Sequence, residues 1–160
     1  MRRSFPIPLL AAAAIPLLAA CGDAPDGAEA EVEAEAERRA AAADSVMLAA
    51  EMYDPAVFDT ITWESPEAKL ERGRVVYGIS CSKCHGPSGA GDGEFVMRGD
   101  TLRPPSFVAA DWQYADDVEG MRRQVFTGTE ENMPHWGFYG LKYRDIDAAA
   151  TYIREVLRAM

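Results

Sequence analysis

Cys81-Ser82-Lys83-Cys84-His85 puts two thiols and an imidazole within five consecutive residues. Thiols paired at this spacing have three known uses. They form a redox dithiol, half of a zinc site, or thioethers to the two vinyl groups of a haem whose iron meets the adjoining imidazole. The dithiol wants a βαβ frame, and no strand-like alternation occurs in this chain. Zinc wants a second ligand pair, and one cysteine and one histidine, Cys21 and His135, are all that remain. The histidine directly after the second cysteine selects haem attachment. The expected cofactor is one covalent haem c, held by Cys81 and Cys84, with His85 on the iron.

The sixth iron ligand should be a thioether or a second imidazole, carried on chain that wraps the far haem face. Met97, Met121, Met133 and His135 follow the attachment site. Met121 falls on the apolar face of a predicted helix and reads as core. Met97 comes only twelve residues after His85, which is short for reaching the opposite face. Met133 and His135 remain: Met133 lies in the loop Thr127-Gly128-Thr129-Glu130-Glu131-Asn132-Met133-Pro134, and His135 follows it directly. Trp112, Trp136, Tyr139 and Arg103 are candidates for lining the haem or pairing with its propionates, though plain core or surface roles suit them as well. Gly89-Ala90-Gly91-Asp92-Gly93 follows no strand, so it reads as a turn beside the haem rather than a phosphate cradle.

Helices must position these groups. Ser65-Pro66-Glu67 combines an N-cap serine, proline at the first helical position and an acid in the first turn, predicting a helix to about Tyr77 that ends near Gly78. A second is predicted from Asp116 or Asp117 to Phe126. A third runs from Asp145, as cap, to Leu157, with Ile146, Ala149, Ala150, Ile153 and Leu157 forming its apolar stripe. Residues 86–115 are rich in Gly, Pro and Asp and carry no long periodic run. So irregular a domain would have a thin core unless a large apolar group filled it, which supports haem independently.

The N-terminus reads as a targeting segment. Arg2 and Arg3 precede an apolar stretch from Phe5 to Leu18 and the small residues Ala19-Ala20. The stretch is shorter than the ~20 residues of a bilayer span, and three prolines interrupt it. Leu18-Ala19-Ala20-Cys21-Gly22 resembles the bacterial lipobox, which would make Cys21 the acylated N-terminus of the mature chain. The net charge of −10 is uneven: residues 22–65 hold twelve acids against Arg38 and Arg39, whereas 66–160 hold fourteen acids and twelve bases. Neither half offers the basic face that nucleic acid requires. The tract to residue 45, nearly all Ala, Glu, Asp, Gly and Arg, cannot bury an apolar face and predicts a tether, as frayed helix or extended coil. Four parts are expected: a lipoprotein signal peptide at 1–20, an Ala/Glu-rich tether at 21–45, an apolar connecting segment at 46–65 that packs on the domain or on a partner, and a haem domain at 66–160.

Across 66–160 the chain resembles the class I cytochrome c family. The resemblance rests on Gly73-x-x-x-Tyr77, Cys81-x-x-Cys84-His85-Gly86, Pro104-Pro105, Met133-Pro134 and Ala150-Thr151-Tyr152-Ile153. It implies an all-α class I cytochrome c fold, three or more helices wrapped around one haem, with Gly73, Tyr77 and Tyr152 where the terminal helices cross. It implies Met133 as the distal ligand, Pro105 (or its neighbour Pro104) as the carbonyl that receives the His85 N–H, and Phe107 packed on the haem edge. The function so implied is a membrane-anchored, periplasmic-side carrier passing single electrons between a redox donor and acceptor. A fixed haem c subunit of a larger membrane respiratory complex is the alternative. A haem enzyme or gas sensor with an open iron would require that Met133 not ligate.

Overall fold

The computed structural model describes residues 27–160, so the expected signal peptide and the expected acylation site at Cys21 lie outside the described residues. Helix α1, Gly27–Met52, runs through the Ala/Glu tract as one continuous helix rather than a frayed helix or coil. Ala, Glu, Arg, Leu and Met all favour helix. Like-charge repulsion is offset locally, since Glu35 pairs with Arg38 at 2.7 Å and with Arg39 at 3.2 Å. An isolated helix of this kind would be marginal in water. This one packs against α5 (Val118–Thr127) and buries Ala49 completely.

Asp54-Pro55 then turns the chain into a single helical turn, α2, Ala56–Asp59. Phe58 is buried there against Val125, Phe126 and Ile146, with Tyr53 and Ile61 packed alongside. Segment 46–65 thus packs on the rest of the chain, against α5 and α6 (Tyr143–Tyr152), although Met47, Leu48 and Met52 stay exposed.

Helix α3, Pro66–Val76, opens as expected: Ser65 Oγ accepts from the Ala68 N–H at 3.1 Å. It does not end at Gly78. The chain widens into a π turn, Tyr77–Cys81, and continues as α4, Ser82–His85. The left-handed stop falls at Gly86, with φ of 78°. Tyr77 Oη donates to the Gly86 carbonyl at 2.6 Å and ties the two ends of this turn together. A minimal hairpin that the sequence did not predict pairs β1, Val96–Met97, with β2, Asp100–Thr101. Arg98 and Gly99, both at positive φ, make its turn. Helix α5 has Asp117 as N-cap. Helix α6, Tyr143–Tyr152, starts earlier than expected, and a second π turn, Ile153–Leu157, follows it. Asp145 is therefore not its cap but sits inside the first turn, where it accepts from the Lys142 N–H at 3.3 Å. Among the described residues no helix is long and apolar enough to cross a membrane.

Helices α3 and α6 cross at Gly73. A Cβ there would press on the Ala148 carbonyl and lie 2.7 Å from the Tyr152 Cβ. Backbone cannot step aside as a side-chain tip can, so Gly73→Val should destabilise by at least ~3 kcal/mol, the upper end for an overpacked site. At Gly78 a Cβ meets nothing within 4 Å. Gly78→Ala should be neutral or stabilising by up to ~1 kcal/mol, through the unfolded chain. Thermal melts of the two variants test the crossing, and equal midpoints would refute it.

Candidate functional site

The π turn and α4 bring Cys81, Cys84 and His85 to the wall of a cavity of about 570 Å³. That is within the ~300–1,000 Å³ of ordinary cofactor sites. The His85 ring stacks on Phe107, with centroids 4.2 Å apart and planes 18° from parallel. Burial pushes the His85 pKa down to about 4, against the opposing pull of the Pro105 carbonyl, so the imidazole is neutral, the form that binds metal. Its Nδ1 is buried and lacks a hydrogen bond of good geometry. Burial and the neighbouring Cys84 push the Cys81 thiol up to about 12. Burial raises Cys84 as well, with Lys83 opposing. A redox dithiol depends on a lowered thiol pKa, and here both are raised. Nor do three or more His, Cys, Asp or Glu side chains gather as a metal site among the described residues, as a zinc reading would need.

The glycine-rich turn lies against this wall. Gly91 N–H donates to the His85 carbonyl at 2.9 Å. A Cβ on Gly93 would meet the Lys83 and Cys84 carbonyls. Arg103 lines the cavity and donates from Nη1 to the Gly93 carbonyl at 2.6 Å.

Met133 reaches the same cavity from the loop after α5. Gly128, at φ of 72°, ends α5 and donates to the Gln124 carbonyl at 2.8 Å. Thr129 closes the loop on itself: its N–H donates to the Met133 carbonyl at 3.0 Å, and its Oγ1 accepts from the Met133 N–H at 3.2 Å. Beyond the loop, Trp136 N–H donates to the Val125 carbonyl at 3.2 Å and Gly137 N–H to the Phe126 carbonyl at 3.0 Å. The backbone thus pins Met133 on both sides.

The other candidates separate clearly. Met97 lines the cavity too, despite its short separation from His85. Met121 is buried in the core with Tyr77 and Trp112. His135 does not line the cavity, and its ring stacks on the exposed Tyr139 with centroids 5.5 Å apart. Trp136 contributes to the wall, whereas Trp112 packs 5.2 Å behind Phe107. Sequence reasoning missed Gln124 and Tyr114. Gln124 Nε2 lies 3.8 Å from the Met133 sulfur, and its Oε1 accepts from Tyr114 Oη. The available signal was a glutamine between Met121 and Val125 on the apolar side of α5.

Two protonated thiols, a neutral imidazole and a thioether around a largely apolar cavity suit a covalently attached haem. A model of the family described as cytochrome c oxidase, cbb3-type, subunit III matches residues 68–153. No curated protein and no solved structure matches the chain.

Proposed function

From the premise that this chain belongs to the cbb3-type cytochrome c oxidase subunit III family, a class I monohaem c-type cytochrome family with covalent haem c, we propose that it is a membrane-anchored carrier of single electrons between redox proteins on the periplasmic side. The observation that carries this reading is that Cys81, Cys84, His85 and Met133 share one cavity. Haem c, when bound, supplies an iron that alternates between the ferrous and ferric states. Cys81 and Cys84 hold the group by thioethers, so it survives unfolding. His85 would ligate the iron, and the Pro105 carbonyl beside the ring would be the acceptor that orients its other nitrogen. Phe107, stacked on that ring, would hold its orientation. Met133 would supply the second protein ligand to the iron, which would favour the reduced state. Acylation of Cys21 would hold the chain at the membrane, with α1 as a helical strut between anchor and domain.

A second reading has the domain as a fixed haem c subunit of a larger membrane complex, and the family description favours it. One experiment tests both. The full chain is expressed in membranes, extracted in mild detergent, and run first on a native gel and then, in a second dimension, on a denaturing gel stained for haem. One haem should stay with each denatured polypeptide, and Cys21→Ser should release a soluble chain that still carries it. Haem that washes out in acidic organic solvent would end the attachment reading. Stable co-migration with larger membrane subunits would replace the free carrier with the fixed subunit.

A further inference from the structure

The geometry points to Gln124, oriented by Tyr114, as a positioning residue that raises the reduction potential through a hydrogen bond to the Met133 sulfur; this rests on the reading of Met133 as iron ligand. Gln124 Nε2 stands 3.8 Å from Sδ, within the longer reach of hydrogen bonds to sulfur. A thioether has lone pairs and no proton, so it can only accept. The amide must therefore present its nitrogen. Turned over, it would set Oε1 against the sulfur lone pairs. Tyr114 enforces the productive orientation from the other end, because its phenol donates to Oε1. The phenol is itself held, with its ring edge-on to Trp112 at 5.8 Å and the Tyr114 carbonyl accepting from the Asp117 N–H at 3.3 Å.

The same glutamine also fixes the loop. Its carbonyl accepts from the Gly128 N–H at 2.8 Å, where the Met133 loop departs from α5. Side chain and main chain of one residue thus set both the position and the donor strength of Met133. A proton shared with the sulfur draws electron density from it. The sulfur then supports the electron-poor ferric iron less than the ferrous, and the reduced state gains. Sulfur is a weak acceptor, so the effect is modest. Loss of the bond should change the reduced-to-oxidised ratio at fixed ambient potential by about threefold, which is roughly 30 mV at 59 mV per tenfold for one electron.

The test uses the haem-loaded full chain with Gln124→Leu, Gln124→Met (which keeps the volume and loses the donor) and Tyr114→Phe. Two quantities are read: the far-red sulfur-to-iron band of the ferric protein, and the midpoint by potentiometric titration. The band should persist in all three variants, with the midpoint lowered by the threefold ratio at Gln124 and by about half that shift in Tyr114→Phe. A band retained with an unmoved midpoint in Gln124→Leu and Gln124→Met overturns the inference while leaving Met133 as ligand. A native protein without the band, or one whose band survives Met133→Ala, overturns the ligand reading and this inference with it.

Discussion

In Met133→Ala the ferrous protein should bind carbon monoxide about 100- to 1,000-fold more tightly than the native chain, and the ferric protein should lose its far-red sulfur-to-iron band. The size follows from what an added ligand must displace. The Met133 loop is held by the Thr129 pair and by Trp136 and Gly137 on the backbone of α5. Opening it to free the iron is a minor state, which for a gap of a few kcal/mol is populated at roughly 0.1–1%. Apparent affinity scales inversely with that population, so deleting the thioether returns the missing factor. His135→Ala should leave the band and the affinity nearly native, because His135 faces Tyr139 rather than the cavity. Met97 is the sharper control, since it lines the same cavity. If Met97→Ala abolishes the band and Met133→Ala keeps it, the distal assignment moves to Met97. The same measurement bears on an open-iron enzyme or sensor, which would bind carbon monoxide tightly before any substitution.

What could be read from the chain alone divides by the range of the interaction. That Cys81, Cys84 and His85 face one cavity was legible because the three lie within five consecutive residues. The caps at Ser65 and Asp117 were legible for the same reason, each satisfied by an N–H three residues away. The helical continuation beyond α3 was not. Gly78 and Gly86 are equally good stop residues in sequence, and the choice is made by Tyr77, whose phenol reaches the Gly86 carbonyl and holds the chain helical through the attachment turn. The continuous α1 was misjudged because local repulsion was visible, while its packing on α5 was not. Gln124 and Tyr114 lay hidden because the sulfur they serve sits on a loop that no periodicity relates to α5.

Asp147 was also overlooked, a polar residue in the run of apolar positions from Ile146 to Ala150, and its removal should be among the most damaging single changes. It is 3% exposed. Its Oδ2 accepts from Trp63 Nε1 at 2.9 Å and from Lys69 Nζ at 2.9 Å, and its Oδ1 pairs with Arg122. One carboxylate thus joins the connecting segment, α3 and α5 to α6. Asp147→Ala leaves two half-buried cations without their partner, a change that typically costs ~3–5 kcal/mol. For a chain of this size that lowers the thermal midpoint by roughly 6–20 °C. The triple variant Lys69→Met/Arg122→Met/Asp147→Leu should recover most of the loss, because a buried ion cluster is often matched by apolar packing once no charge is stranded. Titration provides an independent check. Burial alone would push the Asp147 pKa up, but hydrogen bonds from Lys69 and Trp63 outweigh it and hold the group below the ordinary carboxylate range. Its stabilisation is therefore fully present above the unfolded value near ~3.9 and disappears as pH falls through the lower folded value. The native protein should lose stability over that acid range more steeply than Asp147→Ala, in which nothing at this position remains to protonate. Parallel acid limbs, or a triple variant no more stable than Asp147→Ala, would show that the cluster does not hold these four segments together.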